Sequence, residues 1–284
     1  RTLTYGAGTG GSISGATSQR VNVATTGSAV LATANAGYHF VQWSDGSTAN
    51  PRTDTNVTED LSVTAVFALN TATVTFNAQG GTAPSPVSMT VTHGSAYGTL
   101  ATTSRASYTF SGWYTAASGG SLVTSSTIVT ISGDHTLYAH WTAPSYTVAF
   151  NAQGGTTPGP ITVTYGEAYG TLATTSRTGY TFEGWYTAAS GGTQVTTSTI
   201  VTATSNHTLY AHWTAETCAL TYSAGPNGRI EGDLEQTVEY GEDGTAVEAV
   251  PDANYRFEQW SDGSTENPRT DTDVTADISV TASF

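Results

Sequence analysis

The sequence of 284 residues contains no lysine, one cysteine and one methionine, and only 11% of its residues are charged. An average domain carries about 25% charged residues. The absence of lysine excludes a Walker-type lysine, a Schiff-base lysine and a lysine-to-asparagine isopeptide crosslink. The single cysteine, Cys218, excludes an internal disulfide and a cysteine metal cluster. Cysteine pairing therefore gives no information on the redox state of the compartment.

Positive charge is scarce as well. Eight arginines stand against 22 acidic residues, which gives a formal net charge of −14. Binding of nucleic acid needs clustered cations, so no nucleic-acid partner is expected. The charge is uneven: residues 216–284 carry 15 acidic residues and 3 arginines (net −12), and residues 1–215 carry 7 and 5 (net −2).

No apolar stretch approaches the roughly 18 residues of a membrane span, so no membrane insertion of this segment is expected. Arg1 opens directly into a strand-like segment without a signal peptide, and we expect a soluble, monomeric piece of a longer chain. Six Trp, fifteen Tyr and eight Phe supply hydrophobic cores and exclude wholesale disorder. Threonine (56) and serine (28) make up about 30% of the chain, a composition typical of strands and turns.

Internal repeats organise the chain in the order A-B-B-A. Residues 97–121 match residues 169–193 at 21 of 25 positions, and residues 43–67 match residues 260–284 at 20 of 25. We therefore predict four small domains. They are named here A1 (1–68), B1 (69–143), B2 (144–215) and the acidic A2 (216–284).

Alternating side chains predict strands within each repeat. In residues 208–213, Leu209, Ala211 and Trp213 share one face, and Tyr210 and His212 point the other way. In A1, the same alternation buries Val63, Ala65 and Phe67. In the B repeats, the predicted core residues include four tryptophans: Trp113, Trp141, Trp185 and Trp213.

Turn and bulge signals complete the prediction. Phe182 and Trp185 stand three apart, so Gly184 between them predicts a bulge or bend that turns the Trp inward. The segments NAQGGT at 77–82 and 151–156 predict hairpins. Asp45-Gly46 and its copy Asp262-Gly263 predict tight turns. The remaining place for helix is one or two turns at 96–104 and 168–176. We predict a mainly β chain of four tandem domains, with short mixed or antiparallel sheets, in an elongated string.

The motifs GYTFEGWYT at 179–187 and TLYAHW at 208–213 resemble the Listeria–Bacteroides repeat, the family of the internalin B-repeat. The A repeats, with WSDGSTANPRTDTNVTEDLSVTAVF at 43–67, resemble its divergent branch. The resemblance covers essentially the whole chain and implies β-grasp-like units from large secreted or surface-attached bacterial proteins, used as spacers or adhesion modules. It carries over no catalytic residue. In B1, Ala106-Ser107 replaces Thr178-Gly179, so we expect the turn before Tyr108 to differ there.

Catalytic and metal-binding patterns are missing. The sequence holds no Gly-x-Ser-x-Gly, no HExxH and no acid pair set by the repeats, and we expect no enzymatic activity and no cofactor. His135 and His140 recur as His207 and His212, but five residues apart on a strand they point to opposite faces and cannot share a metal ion.

Charged residues also have structural explanations. We expect Arg52 to pair with an acid such as Asp54, and Arg269 with Asp271. The acids of A2 could bind Ca²⁺, but they lack the spacing of a calcium loop, and we predict a solvated acidic surface. The residues concerned are Asp233, Glu235, Glu242 and Asp243.

Aromatic side chains are the remaining candidates for ligand binding. Tyr and Trp rings stack on apolar faces of sugars, so the outward aromatic residues could form a glycan platform. Alternatively, they cover the outer sheet face or a joint between repeats. The candidates are Tyr114, Tyr138 and His140 in B1, and Tyr186, Tyr210 and His212 in B2.

Two functions fit this sequence. The first is a non-catalytic stalk of a bacterial surface or secreted adhesin, because linkers of four or five residues such as 142–145 are too short for free tumbling. The alternative is a module that recognises a glycan or a protein of a host or neighbouring cell through its surface aromatics. Both imply an extracellular or cell-surface location.

Overall fold

A computed structural model of the chain describes residues 1–284 and contains 22 β-strands and no helix. The chain divides into two compact units, Arg1–Thr142 and Ala143–Phe284. Each unit contains one A repeat and one B repeat. With no helix present, the structure offers no helical segment long and apolar enough to cross a membrane.

Repeat A1 forms one mixed sheet and a two-stranded ribbon. Its strands are β1 (Thr2–Ala7), β2 (Gly11–Ser14), β3 (Ser18–Arg20), β4 (Leu31–Ala34), β5 (Tyr38–Trp43) and β6 (Leu61–Leu69). The sheet has the order β3-β1-β6-β5, with β1 and β6 parallel and the other neighbours antiparallel, and β2 pairs with β4. Val63, Ala65 and Phe67 are buried in its core, as predicted.

Repeat B1 forms a five-stranded mixed sheet. Its strands are β7 (Thr71–Asn77), β8 (Ser88–Thr92), β9 (Thr109–Tyr114), β10 (Leu122–Val123) and β11 (His135–Thr142). The order is β10-β9-β11-β7-β8, in which β7 and β11 are parallel. The antiparallel pairing of β7 with β8 confirms the predicted hairpin.

Repeat B2 repeats this topology. Its strands are β12 (Ser145–Asn151), β13 (Ile161–Thr164), β14 (Tyr180–Tyr186), β15 (Gln194–Val195) and β16 (His207–Ala215). The order is β13-β12-β16-β14-β15, and β12 is parallel to β16. The predicted hairpin is again present, as β12 paired with β13.

Repeat A2 repeats the topology of A1. Its strands are β17 (Thr217–Ala224), β18 (Gly228–Glu231), β19 (Glu235–Glu239), β20 (Glu248–Pro251), β21 (Gln259–Trp260) and β22 (Ile278–Ser283). The sheet order is β19-β17-β22-β21, and β18 pairs with β20. All four repeats thus pair their first and last strands in parallel, and the predicted mainly β class with small mixed sheets is confirmed.

The one or two helical turns that the sequence allowed at 96–104 and 168–176 are absent. In B1, the backbone N–H groups of Tyr97 and Gly98 donate to the carbonyls of Thr127 and Ser125, far along the chain. Gly98 also has a φ of 75°, which is outside the helical region. The segment 96–104 therefore makes its hydrogen bonds to a neighbouring loop and not within a helical turn, and 168–176 does the same.

The bulge at Gly184 is confirmed. The register of β14 against β16 shifts between Phe182 and Gly184, and Gly184 has a φ of 146°. Glu183 is the extra residue, and the shift brings the rings of Phe182 and Trp185 to 5.4 Å between centroids. The bulge therefore turns Trp185 into the core, where it is 2% exposed.

The four predicted core tryptophans differ in burial. Trp113 and Trp185 are fully buried, whereas Trp141 and Trp213 are only half-buried at the margin of their cores. Trp213 stands near the end of the last strand, where its ring packs on Phe182 and lies over Gly155. The core prediction is therefore confirmed for Trp113 and Trp185, whereas Trp141 and Trp213 pack against their cores in a partly buried position.

The turn before Tyr108 does not differ between the B repeats. Ser107 has a φ of 64° and its counterpart Gly179 a φ of 75°. The bridge between Arg105 and Tyr108 also recurs, between Arg177 and Tyr180. Serine therefore adopts the left-handed conformation that glycine adopts in B2. The predicted turn at Asp45-Gly46 is confirmed, since Gly46 has a φ of 86° and its N–H donates to the carbonyl of Trp43.

Candidate functional site

The three aromatic candidates of B1 lie together on one face of the sheet. Strands β9 and β11 are antiparallel, with Tyr114 opposite Tyr138 and Gly112 opposite His140. The rings of Tyr114 and His140 stack with centroids 4.0 Å apart and an angle of 8° between their planes. Nε2 of His140 also lies 3.0 Å from the carbonyl oxygen of Ala116, which holds the imidazole in place.

The candidates of B2 have the same arrangement. Tyr186 lies opposite Tyr210, and Tyr186 stacks on His212 with centroids 3.9 Å apart and an angle of 7°. Nε2 of His212 lies 3.0 Å from the carbonyl oxygen of Ala188. We call each set, Tyr114/Tyr138/His140 and Tyr186/Tyr210/His212, the aromatic face of its repeat. All six side chains are half-buried.

The other repeated histidine belongs to a different environment. His135 shares a hydrogen bond of 2.7 Å with the hydroxyl of Tyr97, and His207 does the same with Tyr169. Burial raises the pKa of the Tyr97 and Tyr169 hydroxyls above the ordinary value. No group of three or more His, Cys, Asp or Glu side chains is arranged to hold a metal ion.

A shallow groove lies beside each aromatic face. The B1 groove has a volume of about 340 Å³ and is lined by Gln79, Arg105, the loop 117–119, His140 and Trp141. The B2 groove has a volume of about 390 Å³ and equivalent walls. These are Gln153, Arg177, the loop 189–191, His212 and Trp213, with Glu183 in addition.

The sequence prediction included His140 and His212 but missed the arginines and glutamines of the grooves. Arg105 and Arg177 recur at the same repeat position in a chain with eight arginines. Each guanidinium lies over a tyrosine ring, at 3.8 Å from Tyr108 and 3.5 Å from Tyr180. That recurrence was the signal that could have identified them.

Repeat A1 contains an ion network around a buried arginine. The side chain of Arg52 is 6% exposed and donates two hydrogen bonds to Asp54, of 2.7 and 2.8 Å, and one of 2.9 Å to Asp45. The hydroxyl of Tyr5 donates to Asp54 at 2.7 Å. Arg52 also lies 5.5 Å from the ring centre of Trp43. The predicted pair of Arg52 and Asp54 is confirmed, and two further partners extend it.

The network shifts the titration of its members. Burial alone would raise the pKa of Asp54, but the hydrogen bonds from Arg52 and Tyr5 outweigh it, so this pKa lies below its ordinary value. The hydrogen bond from Arg52 likewise lowers the pKa of Asp45. Burial, followed by the hydrogen bond to Asp54, raises the pKa of Tyr5.

Repeat A2 contains the same network. Arg269 pairs with Asp271 at 2.6 Å, as predicted, and with Asp262 at 2.7 Å. The hydroxyl of Tyr222 donates to Asp271 at 2.7 Å. Duplication of a core network in both A repeats indicates a structural role.

The four acidic candidates of A2 are exposed. Asp243 Oδ1 accepts a hydrogen bond of 2.8 Å from the backbone N–H of Asp273. The four residues, all on the surface of A2, are Asp233, Glu235, Glu242 and Asp243.

The joint between A1 and B1 is a single residue, Asn70. Its backbone N–H donates to the carbonyl of Gly37 at 2.8 Å, and its carbonyl accepts from the N–H of His93 at 2.9 Å. The Asn70 side chain lies 3.0 Å from Nδ1 of His39. A Cβ atom added to Gly37 would overlap the His93 ring, so the two repeats pack directly on each other there.

The joint between B2 and A2 has the same construction around Glu216. Its N–H donates to the carbonyl of Gly179 at 2.9 Å, and its carbonyl accepts from the N–H of Tyr240 at 2.8 Å. Gly179 packs against the Tyr240 ring, which also lies 6.1 Å from the ring of Tyr180. Each compact unit therefore contains one short joint that is hydrogen-bonded on both sides.

Comparison with known proteins gives relatives among bacterial proteins. Internalin H of Listeria monocytogenes is 39% identical over 107 residues, which are 38% of this chain and 19% of that protein. A protein of Evansella cellulosilytica named "Putative membrane protein" is 27% identical over 216 residues, 73% of this chain and 32% of that protein. The chain thus spans between about a fifth and a third of the length of these relatives.

Matches to repeat families follow the A-B-B-A order. Residues 73–140 and 146–212 match the Listeria-Bacteroides repeat domain, and residues 1–71 and 218–284 match the divergent InlB B-repeat domain. The chain therefore belongs to these two repeat families, with two Listeria–Bacteroides repeats in the middle and a divergent InlB B-repeat on either side.

Proposed function

We propose that this chain is a non-catalytic spacer segment of a bacterial cell-surface or exported protein. The observation that carries the proposal is the repeated joint at Asn70 and Glu216, where one linking residue is hydrogen-bonded to both of its neighbouring repeats. A spacer must keep its ends apart, so resistance to bending at joints is the property that it needs.

The joints resist bending for three physical reasons. The linker has only one residue, so few backbone torsions separate the sheets. Its N–H and carbonyl are both engaged, and rotation about the linker would break these bonds or leave the groups to water. In addition, Gly37 and Gly179 pack directly against a ring of the next repeat, which restricts movement between the two repeats.

The relatives support a location at the cell envelope. One relative is Internalin H, and the name of another includes the words membrane protein. We extend location and spacer role from the repeat families to this chain as part of the proposal.

Spin labels on the two sides of a joint test this function. The full chain with Cys218→Ala would carry labels at the exposed positions Thr26→Cys in A1 and Ser125→Cys in B1. We expect one narrow distance distribution from electron–electron double resonance. Gly37→Val should broaden or shift it, because the valine side chain overlaps His93.

Gly46→Val is the matched control. Gly46 has a similar positive φ, 86° against 81° for Gly37, but faces open space away from the joint. It should strain A1 without changing the label distance. A broad distribution in the reference protein, or equal effects of both valines, would contradict a stiff joint and with it the spacer function.

For the aromatic faces we propose that they cover the sheet. In both B repeats, one ring face of the tyrosine is already occupied by the histidine, at 4.0 Å and 3.9 Å. This leaves less flat surface for a sugar than the sequence suggested. Recognition of a glycan or a neighbouring protein by these faces remains the alternative function.

A further inference from the structure

The grooves of B1 and B2 recur with the same residues, and the spacer function does not explain this recurrence. We infer that each groove is a binding site for a saccharide that carries a carboxylate, with Arg105 and Arg177 contacting the carboxylate. The groove sites would make the B repeats a binding surface as well as a spacer.

Neither Arg105 nor Arg177 forms an ion pair within the chain. Ion pairs involve Arg52, Arg229 and Arg269, whereas no carboxylate lies within 4.0 Å of Arg105 or Arg177. Yet the chain contains 22 acidic residues. A guanidinium offers a planar fork of N–H donors that matches a carboxylate in a bidentate geometry. An unpaired fork at the same place in both repeats therefore points to an anionic group from outside the chain.

The guanidinium groups are also held in place. The Cζ of Arg105 lies 3.8 Å from the ring centre of Tyr108, and that of Arg177 lies 3.5 Å from the ring centre of Tyr180. Nη1 of Arg177 donates a long hydrogen bond of 3.4 Å to the carbonyl of Gln153. Ordering before binding reduces the entropy that a ligand must overcome.

The polar walls suit the hydroxyl groups of a sugar. Nε2 of Gln79 donates to the carbonyl of Ala117 at 3.3 Å, which fixes the amide and leaves its oxygen free to accept. In B2, Nε2 of Gln153 donates to the carbonyls of Ala189 and Ala211, at 2.8 and 3.0 Å. Ser118 on the groove loop adds a hydroxyl that can donate or accept.

The tryptophan supplies an apolar wall. The indole N–H of Trp141 donates to the carbonyl of Ala78 at 2.8 Å, and a Cβ on Gly81 would lie 2.5 Å from the ring. Trp213 is held in the same way by Ala152, at 2.9 Å, and by Gly155. Both rings are fixed and half-exposed, so each can pack against the C–H face of a sugar.

The grooves differ in one residue that changes their charge. Glu183 lines the B2 groove, and the corresponding residue of B1 is Ser111. A carboxylate in the groove disfavours an anionic ligand. The unit 143–284 carries a net charge of −13 (17 acids, 4 arginines), against −1 (5 acids, 4 arginines) for 1–142. The B1 groove should therefore bind more tightly.

Nuclear magnetic resonance on the full chain tests this inference, because the indole N–H groups of Trp141 and Trp213 report on the grooves separately. The probes are glucuronate and N-acetylneuraminate, with glucose and acetate as partial ligands, at constant ionic strength and up to about 10 mM, which covers millimolar affinities. We expect both indole signals to shift with the acidic sugars, Trp141 at lower concentration. Glucose and acetate should need at least about tenfold more ligand.

Arg105→Gln should weaken the response of Trp141 about tenfold or more and leave that of Trp213 unchanged, and Arg177→Gln should do the reverse. Arg256→Gln, an exposed arginine of A2, is the matched control for net charge and should change neither. Glu183→Gln should increase the affinity of the B2 groove for the acidic sugars. No indole shift with either acidic sugar, equal binding of acetate, or equal effects of Arg256→Gln would overturn the inference.

Discussion

The arginine at position 52 shows how one side chain can organise a small core. It is 5% exposed, and burial of an unpaired cation in an apolar core would be prohibitive. Asp45 and Asp54 provide the opposite charge, and Trp43 provides a ring beneath the guanidinium. A charge pair at this depth specifies one arrangement of the loop 45–54 around the core.

This network predicts that A1 loses stability in acid. The folded-state pKa values of Asp45 and Asp54 lie below their ordinary values, so the stabilisation is present above an unfolded pKa of about 3.9 and is lost as the pH falls through the folded pKa. The melting temperature of the full chain should therefore fall progressively as the pH drops below about 4.

Variants separate this network from the other carboxylates. Asp54→Asn should lower the stability of A1 by about 2–3 kcal/mol at pH 7, because Arg52 and Tyr5 lose a charged partner. The further loss of A1 stability in acid should become smaller in this variant. Glu59→Gln removes one exposed charge from the same repeat. It should change neither the stability at pH 7 nor the loss of stability in acid. If the A1 transition loses stability in acid as steeply in Asp54→Asn as in the reference protein, the network of A1 does not cause that loss.

Burial of individual tryptophans depends on their position along the strand. The repeated motif led to one prediction for all four tryptophans of the B repeats, but only Trp113 and Trp185 are fully buried. Trp141 and Trp213 follow the point where the register shifts, so their rings reach only the margin of the core. Alternation gives the face of a side chain but not its depth.

At the level of the elements, the bulge of β14 is the feature on which core packing depends. Gly184 has a φ of 146°, where residues with a Cβ are strained, and a Cβ atom there would lie 2.5 Å from Nε2 of Gln194. The end of the Gln194 side chain can move away at little cost, so the backbone strain at position 184 determines how much a substitution there destabilises B2.

We expect Gly184→Ala to destabilise B2 by about 1–3 kcal/mol, the usual range for such a conformation. Urea unfolding followed by tryptophan fluorescence measures it, because Trp185 lies next to the bulge. Gly159→Ala is the control: it faces open space without a positive φ and should change stability by less than about 0.5 kcal/mol. Equal midpoints for both variants would contradict a role of the bulge glycine.

For the molecule as a whole, the uneven charge is the dominant property. Residues 216–284 carry a net charge of −12, and all of their acids except Asp271 are exposed on A2. Like charges within a Debye length of about 8–10 Å repel each other, and salt reduces this repulsion.

The melting temperature of the full chain should therefore rise with NaCl, mostly because salt stabilises A2. Millimolar Ca²⁺ at matched ionic strength should add nothing, because the four exposed acids have no calcium-loop spacing. Scanning calorimetry distinguishes the cases. A specific site would instead add about 2.7 kcal/mol at a hundredfold excess over the dissociation constant. That gain, lost in Asp233→Asn or Asp243→Asn, would contradict the solvated surface.

Local features of the chain follow from the sequence alone. Repetition gave the A-B-B-A order, alternation gave the strand faces, and Asp45-Gly46 and Gly184 gave a turn and a bulge. Each of these features depends on neighbouring residues, whose side-chain period and backbone freedom are properties of the sequence itself. The outward direction of the six aromatic candidates has the same origin.

Other features arise only when distant segments meet. Leu3 pairs in parallel with Leu61, and the B1 groove joins Gln79, Arg105 and His140 from three parts of the repeat. The joints likewise need Gly37 and His93 on either side of Asn70. The alternation of side chains along one strand does not encode these contacts. They depend on the pairing of the first and last strands of each repeat, which lie far apart in the sequence. For that reason, the grooves and joints became visible only in the folded chain.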